Sequence, residues 1–397
     1  MASASRRVAH RVLVRVFEEG AYADRAFAAE AAELDARDRA FAQRLAYGAV
    51  QRVRTLDDAI EVIGGRVLAE LDVPVRAALR VGAYELGYMT GVPPRATVNE
   101  AVELVRVTGV SRATGLVNAI LRKAASGIGE LLATLPERTA QEAAVKHSYP
   151  DWVAETWWRE WGADEALALM LAQNEAPETA VRVIGTDEAR VVERVDPQEL
   201  EHGLVWPQSR GSQLAGRAVG VEPGERVLDL CAAPGGKTTQ LAERAAEVVA
   251  VELHPGRARE LAENLRRLGF DNVQVVQADA RALPAELTGF DRVLVDAPCS
   301  GLGVLASRPD LRWRAQPLPD LQLDLLRVAA ERVKRGGSIT YSVCTISAAE
   351  NEHVVDAAGL EIEPLGGEFA HPRRPEFLLT LPHRHGTSGF FIARIRA

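Results

Sequence analysis

Two of the chain's three cysteines stand where they could do chemistry. Cys299 lies in Val295-Asp296-Ala297-Pro298-Cys299-Ser300-Gly301, and Cys344 in Tyr341-Ser342-Val343-Cys344-Thr345. Each follows a short run rich in β-branched residues that reads as a strand, so both thiols fall at strand ends. A lone cysteine there is more often a small buried hydrophobe. Two of them, beside the strand-end acid Asp296, point instead to covalent catalysis. A thiolate that adds to carbon 6 of a cytosine makes the ring enamine-like, and carbon 5 can then attack a methyl group. The nucleophile must be thiolate, so a lowered pKa is expected. Asp296 is the candidate to protonate or hydrogen-bond N3 as the adduct forms. A base must later take the carbon 5 proton, and a second cysteine could do so.

The methyl donor would sit in the turn Asp229-Leu230-Cys231-Ala232-Ala233-Pro234-Gly235-Gly236-Lys237-Thr238. A glycine-rich turn from strand to helix lets backbone approach a ligand closely. Gly236-Lys237-Thr238 fits the end of a phosphate loop, but Cys231 occupies the leading glycine position, and no G-x-G-x-x-G dinucleotide fingerprint is present. Further strands end in acids. Glu252, 23 residues after Asp229, suits the two hydroxyls of a ribose. Asp279 suits the exocyclic amine of adenine, because a carboxylate only accepts. Acids in register at Asp229, Glu252 and Asp279, one at each strand end, fit S-adenosylmethionine. A zinc deaminase would also act on cytosine but needs P-C-x-x-C, and Leu302 stands at the second cysteine position. An amine methyltransferase would carry Asn/Asp-Pro-Pro-aromatic where Asp296-Ala297-Pro298-Cys299 stands.

These residues need a sheet to carry them. From about residue 206 the chain alternates strand and helix: RVLDLC, KTTQLAERA, EVVAVEL, PGRARELAENLRRLG, VQVVQAD, FDRVLVDAP, LQLDLLRVAAERVKRGG as helix and stop, SITYSVC and a final GFFIARI. That pattern predicts an α/β fold, a Rossmann-like, doubly wound and mainly parallel sheet, with ligands at the carboxyl ends of its strands. Residues 4–125 read as helix throughout, with stretches near 36–63, 73–90, 97–109 and 112–125. The expected division is 1–140 all-helical, 141–205 a helical linker and small connecting subdomain, and 206–397 catalytic. AVRVIGTDEARVVERV reads as short strands of that subdomain.

Composition bounds the function classes. The 397 residues carry a net charge of −8, which argues against a generic nucleic-acid binder. Residues 1–150 hold 20 basic and 18 acidic side chains, so the remainder carries −10. Any RNA contact must use local patches, and Arg7, Arg11 and Arg15, four apart, are either a solvated helix face or a phosphate-contacting stripe. Trp152, Trp157, Trp158 and Trp161 could stack on bases, though such a cluster more often docks a helix. Arginine outnumbers lysine 43 to 4, so Lys237 stands out. Three cysteines exclude a disulfide framework. No membrane span or signal segment is evident, so the expectation is a cytoplasmic protein, a monomer without a metal or a membrane partner.

VLDLCAAPGGKTTQLAE, VDAPCSGLGV with RPDLRW, and YSVCTISAAENE resemble the Nop/Sun family of RNA (cytosine-5-)-methyltransferases. The N-terminal ATVNEAVEL and GLVNAILRKA are similar to the NusB-like RNA-binding domain of its bacterial Sun/RsmB branch. The resemblance implies S-adenosylmethionine as cofactor and 16S rRNA as substrate. It implies that Cys344 is the nucleophile and that Cys299 assists release of the methylated base. Cys231, Ala232, Ala233, Pro234, Gly235, Gly236, Lys237, Glu252, Asp279 and Asp296 would hold the cofactor or line its site. A related DNA methyltransferase class uses the Pro-Cys cysteine as nucleophile, so spacing alone leaves the two roles open. The chain departs from the family at Pro207-Gln208-Ser209, where Gln-Asp is usual, and at Ser388, where Asp is common.

Overall fold

Val8, Val12, Leu13 and Val16 share one face of the first helix, Ala4–Phe17, and that face is buried. The same logic builds the helices Ala23–Glu30, Ala36–Gln51, Val53–Gly64, Val73–Tyr88, Pro94–Val107 and Thr114–Thr134, which enclose one apolar core. The expected helix over 36–63 is two helices. Arg52 leaves helical geometry at φ −98°, ψ 12°, after the first and before the second. The computed structural model describes residues 2–396.

The chain divides into two units. The first runs through Asn174 and also contains the segment Leu305–Arg314; the second holds Glu175–Val304 and the chain from Ala315 onward. This differs from the three-part division expected at 140 and 205, for two physical reasons. Helices Ala140–His147, Asp151–Trp161 and Ala163–Ala172 follow the first seven without a break in packing: Thr55 Oγ1 donates to Val145 O at 2.6 Å, and Tyr149 is fully buried. Strand Val205–Pro207 pairs back on the small sheet, so a boundary at 206 would cut a hydrogen-bonded ladder.

Segment Leu305–Arg314 belongs to the helical unit because its polar groups are satisfied there. The fully buried Arg312 donates to Ser148 O at 2.9 Å and Asn174 Oδ1 at 3.0 Å, and its guanidinium lies 4.2 Å from the centre of the Tyr149 ring. Trp313 Nε1 donates to Val50 O at 2.7 Å. In the tryptophan cluster, Trp157 is fully buried and meets Tyr149 edge-on, which anchors its helix in this unit. The arginine stripe is engaged within the unit: Arg15 pairs with Glu19 and Glu30, Arg11 lies 3.8 Å from Glu30, and Arg7 donates to Ala2 O.

Among the described residues the second unit has eleven strands: β1 Ala180–Val183, β2 Ala189–Val191, β3 Val205–Pro207, β4 Arg226–Asp229, β5 Glu247–Glu252, β6 Val273–Gln277, β7 Phe290–Asp296, β8 Val333–Val343, β9 Ile362–Glu363, β10 Leu378–Thr380 and β11 Phe390–Arg396. β2-β1-β3 form an antiparallel sheet. The main sheet runs β10-β11-β8-β7-β4-β5-β6, with β9 on β11. β8, β7, β4, β5 and β6 are parallel; β9, β10 and β11 pair antiparallel. The buried runs of β4, β5, β7 and β8 explain their central place. One boundary differs from expectation. Lys334-Arg335-Gly336-Gly337 reads as the end of a helix, but the helix Pro319–Arg332 stops earlier and Val333 already pairs with Phe290. β4 has β5 on one side and β7 on the other, so the strand order reverses there. A crevice at the carboxyl ends of β4 and β7 follows.

Candidate active site

The turn after β4 is shaped by two glycines. Gly235 has φ +111°, and a Cβ there would meet Leu261 Cδ1 at 2.8 Å. A Cβ on Gly236 would meet Trp206 Nε1 at 2.7 Å. Outside bonds pin the turn: Arg257 Nη2 donates to Ala233 O at 2.9 Å and Asn264 Nδ2 to Pro234 O at 3.0 Å. Thr238 Oγ1 lies 2.8 Å from Asp229 Oδ2 and 3.2 Å from Ala232 O. Burial pushes the Asp229 carboxyl up to about 7. Burial also pushes the Cys231 thiol far above its usual range, which removes it as a nucleophile at neutral pH.

Glu252 is buried at the end of β5. Its Oε1 accepts from His254 N at 2.9 Å, while Oε2 is 3.7 Å from Arg257 Nε, beyond hydrogen-bond length. The carboxylate therefore keeps acceptor capacity for vicinal hydroxyls. Leu253, next in the chain, is 49% exposed. It offers an apolar surface beside that acid. Sequence reasoning passed over it because one leucine after a strand looks ordinary. Asp279 follows β6 and its carboxylate is taken up by Arg281, through N at 2.9 Å and Nη2 at 2.7 Å; the side-chain bond holds its pKa low.

Asp296 ends β7 opposite Ser342 of β8. Ser342 Oγ donates to its Oδ1 at 2.8 Å, and Lys237 Nζ lies 2.8 Å from Oδ2. The same ammonium sits 4.8 Å from the centre of the Phe390 ring. Lys237, rare by composition, thus links the glycine turn of β4 to the acid of β7.

The two strand-end cysteines meet. Cys299 Sγ lies 3.4 Å from Cys344 Sγ. A proton shared by such a pair settles on one sulfur, and the surroundings favour Cys299. The hydrogen bond from Cys299 lowers the Cys344 thiol, Lys237 lowers it further, and burial and Asp296 oppose this. Cys299 is raised well above its ordinary value by that same hydrogen bond, by burial and by nearby negative charge, including Glu350. The two thiols titrate as a pair, with Cys344 shifted down and Cys299 shifted up.

Local packing fixes the Cys299 loop. Gly303 N donates to Cys344 O at 2.9 Å, and Gly389 N donates to Gly303 O at 2.8 Å. A Cβ on Gly303 would meet Gly389 O at 2.1 Å, so only glycine allows this approach. Arg182 of β1 was also missed. Buried to 1% exposure, it donates to Thr239 Oγ1 at 2.6 Å and pairs with Glu243, tying the small sheet to the helix Gly236–Ala242. Gln208, at the family departure, accepts from Arg182 Nε at 3.2 Å. Among the described residues no group of three or more His, Cys, Asp or Glu could hold a metal, and no helix is long and apolar enough to cross a membrane.

Parallel strands reversing at β4, a glycine turn and acids at the strand ends define a Rossmann-like methyltransferase domain, preceded by an all-helical NusB domain. The chain belongs to the RsmB/F methyltransferase family. Residues 218–396 match the family described as 16S rRNA methyltransferase RsmB/F, and residues 3–126 match the NusB family. The ribosomal RNA small subunit methyltransferase B of Thermus thermophilus is 34% identical over 384 residues, 91% of this chain and 89% of that one. Its counterpart of the same name in Sodalis glossinidius is 31% identical over 98% of this chain and 97% of its own. The crystal structure of PH0851 matches with a TM-score of 0.80 and 25% identity, covering 100% of both chains.

Proposed function

We propose that the protein methylates carbon 5 of a cytosine in 16S rRNA, with S-adenosylmethionine as donor and Cys344 as covalent nucleophile. The observation that carries this reading is the 3.4 Å thiol pair beside the Lys237–Asp296 ion pair. The cofactor fits the residues present. Gly235 and Gly236 leave the turn without side chains, and Glu252 Oε2, 3.7 Å from Arg257 Nε, keeps acceptor capacity for ribose hydroxyls. Cys231, Ala232, Ala233, Pro234, Gly235, Gly236 and Lys237 would form the turn around it, Glu252 would meet the ribose, Leu253 would lie against the adenine, Asp279, sharing its carboxylate with Arg281, would accept from the adenine amine, and Asp296 would line the site. When bound, S-adenosylmethionine supplies an electrophilic methyl group.

The Cys344 thiolate bonds to carbon 6 of the cytosine. Charge then builds on N3, and Asp296, carrying a proton relayed from Lys237, donates to it. Carbon 5 would then take the methyl group as its bond to the donor's sulfonium sulfur breaks, leaving the donor as a neutral thioether. With Cys344 tied up as a neutral thioether, the thiolate charge that helped hold Cys299 protonated is gone; Cys299 releases its proton to solvent and, as thiolate, takes the proton from carbon 5. The electron pair left behind re-forms the carbon 5–carbon 6 double bond, the carbon 6–sulfur bond breaks, Cys344 departs as thiolate, and N3 returns its proton to the Asp296–Lys237 pair. The target base must be unpaired or flipped out, because the sulfur has to reach a ring face. The match to the NusB family supports an RNA-contacting role for the helical unit. An rRNA substrate supports a cytoplasmic location.

Incubation with 16S rRNA and methyl-labelled S-adenosylmethionine, followed by digestion to nucleosides, tests this. Label in 5-methylcytidine is expected; label in any other nucleoside overturns the assignment.

A further inference from the structure

Glu350 lies six residues past Cys344 and is fully buried. A buried carboxylate is costly unless donors surround it. Here they do. Ser300 N lies 3.0 Å from Oε1 and 3.3 Å from Oε2, Ser300 Oγ donates to Oε2, Leu318 N donates to Oε1 at 3.0 Å, and Gln322 Nε2 to Oε1 at 3.0 Å. Ser300 is the residue after Cys299. The residue before it, Pro298, is held as well: Gln322 Nε2 also donates to Pro298 O at 2.9 Å. Cys299 is thus braced on both sides by one carboxylate and the amide bound to it.

The brace extends to the second thiol. Ser300 Oγ lies 2.9 Å from Thr345 Oγ1, and Thr345 follows Cys344. Ser300 has one hydroxyl proton, which goes to Glu350, so Thr345 donates to Ser300. The chain Thr345 to Ser300 to Glu350 joins the residues that follow the two cysteines. Tyr341 Oη donates to the Glu350 carbonyl at 2.6 Å, which anchors the other end to β8.

We infer that Glu350 is a positioning residue that holds Cys299 against Cys344 at hydrogen-bonding separation. The inference rests on the reading above that this pair does the chemistry. Its charge also works toward the same end: Cys299 faces Glu350, Tyr341 and Cys344, while Cys344 faces Cys299, Asp296, Lys237 and Glu350. A carboxylate bonded beside Cys299 disfavours a thiolate there and leaves it as the donor.

The test uses the full chain and phenylarsine oxide, which condenses with two neighbouring thiols and releases water. Wild type should retain one arsenical against excess monothiol, and Cys299→Ala and Cys344→Ala should not. Glu350→Gln, nearly isosteric, should hold it roughly tenfold less tightly while melting as a folded protein, and Glu350→Ala should lose it. In folded Glu350→Gln the pH midpoint for iodoacetamide labelling of Cys344 should rise, because losing the Cys299 donor, the largest influence on Cys344, outweighs the smaller relief of Glu350's own charge. Retention of the arsenical and an unmoved midpoint in both variants would overturn the inference. Arsenical loss in Glu350→Gln, with no RNA adduct formed by any protein, would leave Glu350's role standing and remove the cytosine chemistry.

Discussion

Cys344 Sγ and Cys299 Sγ lie 3.4 Å apart at the starts of the two loops that leave adjacent parallel strands, β8 and β7. Each thiol has a separable consequence. With RNA containing 5-fluorocytosine, wild type should become covalently trapped, because fluorine at carbon 5 cannot leave as a proton. Cys344→Ala should form no adduct and lose roughly 10⁴-fold or more in kcat/KM. Cys299→Ala should accumulate adduct on ordinary RNA, since addition proceeds but release is blocked. Denaturing gel mobility reads both, and the opposite pattern would exchange the two roles.

Lys237 bears on the first of these steps. Its ammonium lies 2.8 Å from Asp296 and both face Cys344, one lowering its thiol and the other raising it. Lys237→Met leaves the Asp296 charge unopposed, so the Cys344 pKa must rise. The pH midpoint for alkylation of Cys344, resolved by mass spectrometry, should move up by about one unit. A midpoint that stays in place would show that the neighbouring thiol alone controls the nucleophile.

These contacts join parts of the chain with different legibility in the sequence. The strands of the catalytic domain end where apolar runs meet Asp229, Glu252 and Asp296, and that pattern is local, so the sheet and its reactive edge could be read directly. Cys299 and Cys344 stood out by rarity and position. Glu350 did not, because its meaning lies in Ser300, 50 residues away, and a glutamate in a turn usually faces solvent. Arg312 likewise sits among catalytic-domain sequence yet is satisfied by Ser148, 164 residues earlier, within the helical unit. Lys334-Arg335-Gly336-Gly337 imitates a helix stop, and only pairing with β7 makes strand of it. Non-local pairing overrode local propensity in each case.

Glu252 should dominate cofactor affinity. Glu252→Gln keeps the bond to His254 N but removes the charge that would meet two ribose hydroxyls. Hydrogen bonds to a charged group contribute about 1.5–3 kcal/mol, so S-adenosylmethionine binding should weaken by roughly 10- to 150-fold by isothermal titration. Unchanged affinity would remove Glu252 from the site.

Gly303 tests the loop that delivers Cys299. A methyl group there needs the space of Gly389 O, 2.1 Å from the ideal Cβ position, and backbone cannot yield as a side chain can. Gly303→Ala should cost about 1–3 kcal/mol in urea denaturation and break the bond to Cys344 O. Activity should fall further than stability alone explains. A variant with normal stability and activity would mean that the loop relaxes freely.

Asp229 offers a pH test. Its carboxyl is raised to about 7 by burial, against an unfolded value near 3.9. Between those values the folded chain holds a proton that the unfolded chain has released. Stability from this group is therefore present below about pH 4 and is lost as pH rises through about 7, up to about 4 kcal/mol in the limit. Asp229→Asn keeps an acceptor for Thr238 Oγ1 and stays neutral at every pH. The variant should gain on wild type as pH rises from 4.5 to 7 and then hold a constant lead. Subtracting the two denaturation series cancels the other titrating groups, because both proteins share them. A flat difference across that range would show that Asp229 ionises normally, with Lys237 close enough to compensate its burial.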